Sequence, residues 1–397
     1  MEFIDLAFQQ KIIWEEINTN IQAVLRHGRY IMGAEINDLE EKLSSYVGVK
    51  YAIGCASGTD ALLLVLMAYN IGPGDAVFTT PFTFISTAEV ISLLGATPIF
   101  VDIDPITFNI DPNQLDQAIT ALKNNDSSIY PLPVAQSKSP ISPKGVITVD
   151  LFGLPAEYDR INAIAKKHSL FVIEDAAQSF GAEYKGRKSC SLSDIGCTSF
   201  FPAKPLGCYG DGGMCFTDDD HLNEVIKSLR IHGKGHHKYD NILIGVNGRL
   251  DTIQAAILLA KFSIFPKEVK LRQKVAQHYN NLFNGSTYSI VPPQTPEYST
   301  SVWAQYSVLA NAEQHRSTLQ ARLKEKGIPT AIYYPKSLHL QEAFNNLGYR
   351  EGDFPISEDY SKRIFSLPMH PYLEEKDQEQ IAKILLNNIE EYGSSPN

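Results

Sequence analysis

A lysine held between two prolines is the residue of this sequence best suited to covalent chemistry. Lys204 lies in the segment SFFPAKPLG, residues 199–207, and the glycine-rich run GDGG follows at residues 210–213. Burial on a rigid backbone lowers the pKa of a lysine and fixes the path of its amine, which can then form a Schiff base with an aldehyde. Taken alone, the segment is also compatible with a surface lysine in a loop.

An aspartate at the end of an apolar run could assist such a lysine. Asp175 follows the run Phe171–Ile173 in the segment FVIED, which predicts a buried strand. The carboxyl ends of parallel strands are where ligands bind in α/β sheets. A carboxylate at this position can hold a proton on a pyridine nitrogen and so make the ring an electron sink. An acid at a strand end is also commonly a helix cap or a metal ligand.

A turn of small residues supplies a third candidate site. The segment ASGTDALL, residues 56–63, opens a predicted helix directly after a predicted strand. The first amide groups of a helix have no intrahelical partner, and the helix dipole favours a negative charge there, so this turn could bind a phosphate. Ser199, five residues before Lys204, could donate its hydroxyl to the same phosphate. By itself the turn is only a good N-terminal cap.

In this order and spacing, the three elements resemble the DegT/DnrJ/EryC1/StrS sugar aminotransferases, which are fold-type I enzymes dependent on pyridoxal 5′-phosphate (PLP). The resemblance covers nearly the whole chain, and SFFPAKPLG and EDAAQSFGA are its most specific segments. It implies transfer of an amino group from glutamate to a keto group of a nucleotide-linked sugar. Lys204 matches the family's Schiff-base lysine, and Asp175 matches the partner of the pyridinium nitrogen; these are the expected catalytic residues.

The resemblance also implies a set of cofactor-binding residues and a homodimer with shared active sites. Gln178 matches the residue near the ring hydroxyl, Phe84 the aromatic side chain that stacks on the ring, and Gly58, Thr59 and Ser199 the phosphate cradle. Asn247 matches a residue that reaches the PLP phosphate of the neighbouring subunit. The expected cofactor-binding residues are Gly58, Thr59, Phe84, Asp175, Gln178, Ser199, Lys204 and Asn247.

The segment VNGRLD, residues 246–251, resembles the branch of the family that acts at C3 of the sugar. The most similar type uses UDP-2-acetamido-2-deoxy-3-oxo-glucuronate and serves surface polysaccharide synthesis, including lipopolysaccharide. A dTDP-3-keto-6-deoxyhexose is the alternative substrate, and a non-catalytic, PLP-binding regulatory protein is the alternative of a different class. Arg249 could pair with the sugar carboxylate or could only tie down a helix start through a salt bridge. Tyr334 is expected to contact the substrate, although Tyr333 replaces the histidine of the family's His-Tyr-Pro.

The elements that position these residues alternate along the chain. Short apolar runs predict strands at Tyr51–Ile53, Ala76–Thr79, Pro98–Val101, Val146–Val149 and Leu170–Ile173. Amphipathic segments predict helices at Thr59–Tyr69, Ser86–Leu94, Pro112–Leu122 and Tyr158–His168. This alternation predicts an α/β domain with a mostly parallel sheet.

The second half of the chain predicts a smaller domain. We expect a large PLP-binding α/β domain over residues 1–261 and a small C-terminal α+β domain over residues 262–397. A long helix is predicted from Leu250 through Lys274, with a kink or break at Pro266. The stretch Asn124–Lys144 is rich in serine and proline, which predicts a surface insertion.

Composition narrows the class of protein. With 397 residues and a net charge of −10, the chain does not resemble a nucleic-acid-binding protein. The basic stretch Lys227–Lys238 is predicted to be a loop that attracts an anionic substrate. The five cysteines form no CxxC pair, so we expect buried free thiols and no metal site. No apolar run is long enough to span a membrane and no leader is evident, so we expect a cytoplasmic protein without membrane partners.

Overall fold

The computed structural model of the protein describes residues 1–134, 141–237, 239–284 and 290–386. Its helices are α1 (Leu6–Ile12), α2 (Trp14–His27), α3 (Ala34–Val47), α4 (Gly58–Ala68), α5 (Ser86–Leu93), α6 (Pro112–Asn124), α7 (Tyr158–His168), α8 (Asp220–Leu229), α9 (Thr252–Phe283), α10 (Glu313–Glu325), α11 (Pro355–Arg363) and α12 (Glu375–Leu386). Its strands are β1 (Tyr51–Cys55), β2 (Asp75–Thr79), β3 (Thr97–Phe100), β4 (Ser142–Val149), β5 (Phe171–Asp175), β6 (Glu183–Tyr184), β7 (Arg187–Lys188), β8 (Ile195–Ser199), β9 (Gly213–Thr217), β10 (Ile290–Val291), β11 (Ser299–Thr300), β12 (Tyr306–Ala310) and β13 (Ile364–Leu367).

A seven-stranded sheet forms the centre of the fold, in the order β1-β9-β8-β5-β4-β2-β3. The neighbours from β8 through β3 pair in parallel, whereas β9 is antiparallel to both β1 and β8. The strands are almost entirely buried, which explains their continuous apolar runs. The expected α/β fold with a mostly parallel sheet is confirmed. It brings the carboxyl ends of β4, β5 and β8 to one edge.

The predicted strands and helices of the first half lie where the sequence placed them, within a few residues at each end. Two strands of the central sheet, β8 and β9, were not predicted. Their sequences, IGCTS and GMCFT, contain glycine, cysteine, serine and threonine and therefore lack a clear apolar run. They are nevertheless needed for the site, because Ser199 ends β8 and the Lys204 turn connects β8 to β9.

The C-terminal part is built on the three-stranded sheet β10-β12-β13. An apolar core joins it to the second half of α9 and to α10 and α12, with Tyr279, Tyr306 and Phe365 among its buried members. Helix α9 is continuous through Pro266, which excludes a break there. The predicted boundary between residues 261 and 262 falls inside this helix, and the division into two domains stays a prediction.

The stretch Asn124–Lys144 is more than a surface insertion. Tyr130 is buried, and its hydroxyl accepts a hydrogen bond from the Asp102 amide at 2.9 Å. Val134 donates its amide to the carbonyl of Leu347 at 2.7 Å. Strand β4 already begins at Ser142. Residues 135–140 lie outside the described residues.

The basic stretch Lys227–Lys238 is only in part the loop that its glycines predicted. Lys227 belongs to the last turn of α8. Arg230 is buried, and its guanidinium donates to the Glu40 carboxylate and the Gly54 carbonyl, both at 2.6 Å. The charge of Arg230 is therefore paired with Glu40 inside the protein. Lys238 lies outside the described residues.

All five cysteines are buried and free, as expected. Among the described residues, no helix is long and apolar enough to cross a membrane.

Candidate active site

Asp175 and Lys204 face each other at the carboxyl edge of the central sheet. Asp175 is the last residue of β5 and is 4% exposed. Lys204 lies in the turn after β8, where its amide donates to the Phe201 carbonyl at 2.8 Å. Burial lowers the pKa of Lys204, and the negative charge of Asp175 opposes this shift in part. The turn therefore makes the lysine amine a better nucleophile than one on the surface.

Two hydrogen bonds favour the ionised form of the buried Asp175 carboxylate. The Thr87 hydroxyl donates to Oδ2 at 2.8 Å, and the Ala177 amide donates to Oδ1 at 3.2 Å. Burial raises the pKa of Asp175, while these two donors and the charge of Lys204 lower it. Thr87 was not predicted to belong to the site. Its only signal in the sequence is a hydroxyl one helical turn after Thr83, on a face of α5 that proves to be buried.

The turn between β1 and α4 is the candidate anion site. The Ser57 hydroxyl caps α4 by accepting from the Asp60 amide at 3.0 Å, and the Ser57 carbonyl accepts from the Ala61 amide. The backbone amides of Gly58 and Thr59 lie in the first turn of α4, where amides have no acceptor within the helix. An anion could therefore accept hydrogen bonds from both.

Ser199 lies directly against this turn. A Cβ atom on Gly58 would come within 2.7 Å of the Ser199 Cβ, so the close approach requires glycine. The Ser199 Oγ accepts from the Phe201 amide at 3.2 Å, which leaves the hydroxyl proton available to an anion. The structure thus brings together Gly58, Thr59 and Ser199, as the sequence predicted.

Gln178 is hydrogen-bonded to two other segments of the chain. Its Oε1 accepts from the Phe152 amide at 2.7 Å, and its Nε2 donates to the Tyr334 hydroxyl at 3.2 Å. The Tyr334 ring also lies beside Phe84, with 6.4 Å between ring centroids. Phe84, Gln178 and Tyr334 therefore form one cluster, although the Phe84 ring is 54% exposed. The contribution of Phe152 is made by its backbone and left no signal in the sequence.

Asn247 and Arg249 lie on a segment that runs beside β1. Gly248 accepts from the Ala56 amide at 3.0 Å, and Arg249 forms an isolated bridge with Cys55. The side chain of Asn247 is exposed. The Nε of Arg249 is buried and has no hydrogen-bond partner among the described residues. The salt bridge that could have tied Arg249 to the helix start is not formed there.

Arg249 lines a surface cavity with two other basic side chains. His232 and Lys234 share this cavity, and Ile31 and Met32 are among its other lining residues. In a chain of net charge −10, the cavity is a local concentration of positive charge.

Comparisons with known proteins agree with this arrangement. A model of the DegT/DnrJ/EryC1/StrS aminotransferase family matches residues 11–386. The UDP-2-acetamido-2-deoxy-3-oxo-D-glucuronate aminotransferase of Pseudomonas aeruginosa is 47% identical over 387 residues, covering 98% of this chain and 100% of the relative. A DegT DnrJ EryC1 StrS aminotransferase structure from Brucella abortus is 46% identical, with a TM-score of 0.90 over 97% of this chain and 98% of that one. The PLP form of Streptococcus pneumoniae Spr1654 is 25% identical, with a TM-score of 0.84 over 94% and 95% of the chains.

Proposed function

Because the chain belongs to the DegT/DnrJ/EryC1/StrS aminotransferase family, we propose that it transfers the amino group of glutamate to the C3 keto group of UDP-2-acetamido-2-deoxy-3-oxo-glucuronate, with PLP as cofactor. This amino sugar would serve surface polysaccharide synthesis in the cytoplasm. The observation that carries the proposal is the facing pair of Lys204 and Asp175 beside the candidate anion site.

The residues of the site fit PLP. The cofactor offers an aldehyde, a pyridine nitrogen and a phosphate, and the site supplies an amine, a carboxylate and free helix amides for them. The glycine at position 58 supports the fit, because a side chain there would collide with Ser199 and fill the cradle. When bound, PLP supplies the electron sink that spreads the negative charge formed at the α-carbon of the amino-acid donor.

Each residue then has a defined task. Lys204 would hold the cofactor through its amine and, when released, would carry a proton from the donor's α-carbon to the cofactor's C4′. Asp175 would keep a proton on the ring nitrogen throughout, and the hydrogen bond from Thr87 helps the carboxylate to stay ionised. Gln178 would lie near the ring hydroxyl, fixed between Phe152 and Tyr334.

The basic cavity around Arg249 supports an acidic sugar substrate. A guanidinium pairs with both oxygens of a carboxylate in a planar fork, and the part of the chain that the structure describes offers no hydrogen-bond partner to the Nε of Arg249. Lys234, which lines the same cavity, adds positive charge suited to a diphosphate. A dTDP-3-keto-6-deoxyhexose has the diphosphate but lacks the carboxylate.

A homodimer would complete the site. Large apolar side chains around the Asn247 segment are exposed, including Ile31, Ile242 and Ile244. Exposed apolar surface of this kind is typical of protein interfaces. We therefore propose that two copies pack here and that Asn247 reaches the PLP phosphate of the partner subunit.

Half-reactions with defined sugars test the substrate. The aminated form of the cofactor, prepared with glutamate, would be mixed with either the UDP-linked 3-keto-uronate or the dTDP-linked 3-keto-6-deoxyhexose. We expect rapid return of the PLP absorbance with the uronate alone. Faster return with the deoxyhexose would contradict the substrate assignment, and failure of glutamate to change the absorbance would favour the regulatory alternative.

A further inference from the structure

A buried carboxylate behind the site holds together the two segments that meet at Gln178. Asp150 follows β4 directly and is completely buried. Its backbone amide donates to the Asp175 carbonyl at 3.1 Å, so it lies next to the strand end that carries the catalytic aspartate. None of its side-chain atoms is needed for the amino-transfer steps described above.

Each oxygen of the Asp150 carboxylate accepts hydrogen bonds from a different pair of residues. Its Oδ1 accepts from the Ala156 amide at 2.9 Å and from the Tyr158 hydroxyl at 2.8 Å. Its Oδ2 accepts from the Ser179 hydroxyl at 2.8 Å and more weakly from Ser189 at 3.4 Å. Ala156 and Tyr158 lie just beyond the Leu151–Gly153 turn, whereas Ser179 is the neighbour of Gln178. One carboxylate therefore ties the turn to the Gln178 segment.

The turn needs to be held because its backbone is strained. Phe152 adopts a φ of 58°, a left-handed conformation that is unfavourable for an aromatic residue. Gly153 has a φ of 99°, and its carbonyl accepts from the Val302 amide at 2.9 Å. The Asn109 side chain also holds the turn, by accepting from Leu151. The strained conformation is what aims the Phe152 amide at Gln178.

A second buried carboxyl group interacts with Asp150. Glu174 is buried beside Asp150, and its oxygens accept from the amides of Cys190 and Leu192 at 2.5 and 3.0 Å. Burial and the charge of Asp150 raise the pKa of Glu174 well above its usual range. Burial raises the pKa of Asp150 only to about 6, because its donors oppose the shift.

We propose that Asp150 is a positioning residue of the active site, which fixes the side chain of Gln178 by clamping the strained Leu151–Gly153 turn to the Gln178-Ser179 segment. The proposal rests on the proposed function, since Gln178 matters through its place beside the cofactor. Asp150 itself does not touch the cofactor or the substrate. Its effect on the cofactor must therefore pass through Gln178.

A double-mutant cycle tests this dependence. The four proteins are wild type, Asp150→Asn, Gln178→Ala and the double variant, and the measurement is the dissociation constant of PLP. We expect Asp150→Asn to weaken PLP binding by about tenfold, because a charged acceptor of several hydrogen bonds is lost. In the Gln178→Ala background the same change should weaken binding by less than about twofold. An equal loss in both backgrounds would overturn the proposal.

Asp102 provides a matched control. It is also a buried carboxylate just after a strand, β3, but it accepts from the amides of Ile356 and Ser357 and so anchors α11. Asp102→Asn should lower stability without any dependence on Gln178 in PLP binding. If Asp102→Asn showed the same coupling to Gln178 as Asp150→Asn, the clamp would be an unspecific effect of destabilisation and the proposal would be wrong.

Two further measurements keep the test decisive. If Asp150→Asn does not fold, Ser179→Ala removes only one link of the clamp and should weaken PLP binding by about threefold, again only when Gln178 is present. If the wild-type protein binds no PLP, the proposed function fails. The cycle is then measured by urea unfolding of the cofactor-free protein, where strict additivity of Asp150→Asn and Gln178→Ala would overturn the clamp.

Discussion

The Thr87 hydroxyl donates a hydrogen bond to the Asp175 carboxylate at 2.8 Å, across the gap between α5 and the end of β5. This contact lowers the pKa of a carboxyl group whose burial raises it. The state of Asp175 is thus set by a residue that lies 88 positions away in the sequence.

Replacing Thr87 by valine tests this contact while conserving side-chain shape. Without the hydroxyl, the pKa of Asp175 should rise further, so the acid limb of the pH–rate profile should move to higher pH. Thr83→Val is the control, because the Thr83 hydroxyl contacts Thr87 at 3.3 Å but is not bonded to Asp175. An acid limb that moves equally in both variants, or in neither, would show that Thr87 does not tune Asp175.

Asp175→Asn should leave PLP bound but slow the reaction severely. An amide cannot hold the proton of the ring nitrogen by charge, and the loss should cost about 4 kcal/mol in the barrier, or roughly a thousandfold in rate. Single-turnover kinetics with glutamate measure it. If the variant reacted within tenfold of the wild-type rate, a residue other than Asp175 would have to lie beside the ring nitrogen.

The exposed Asn247 leads to a test of the shared site. Asn247→Ala and Lys204→Ala proteins would be mixed and allowed to exchange subunits. If Asn247 acts across the interface, each mixed dimer has one site with both defects and one with neither, so activity should partly return. Exchange shown by differently tagged subunits, without recovered activity, would place Asn247 in the site of its own chain.

Arg249→Ala should separate the two halves of the reaction. Arg249 is expected to bind the sugar carboxylate, and its Nε has no hydrogen-bond partner among the described residues, so the sugar half-reaction should lose far more rate than the glutamate half-reaction. Lys234→Ala is the matched change in the same cavity and should mainly raise the sugar KM and reduce its dependence on salt. Equal loss in both half-reactions for Arg249→Ala would indicate a structural role or a carboxylate site common to donor and acceptor.

Site residues could be predicted from the sequence where their role depends on a local motif. Asp175 was predicted at the end of a strand, whereas Ser199 and Lys204 were grouped with it only through the resemblance of their motifs to the family, because β8 was not predicted. Thr87 and Phe152 contribute through contacts with distant segments, one by a hydroxyl and one by a backbone amide, which no local pattern encodes.

Two local signals, one from a charged residue and one from a proline, led to errors. Arg230 was predicted to lie in a basic loop, but tertiary packing buries it against Glu40. Pro266 allowed a break in the helix, but α9 continues through it, and both of its halves are packed into cores. In each case tertiary contacts override the local preference.

The central claim is that Lys204 accepts the cofactor and drives amino transfer. The most direct measurement compares wild-type and Lys204→Ala protein, each loaded with PLP and given excess glutamate, by quantifying 2-oxoglutarate released per site in one turnover. The account predicts about one equivalent from the wild type, bleaching of its PLP absorbance, and no more than a trace from Lys204→Ala with an unchanged circular dichroism spectrum. Equal release from both proteins would contradict it.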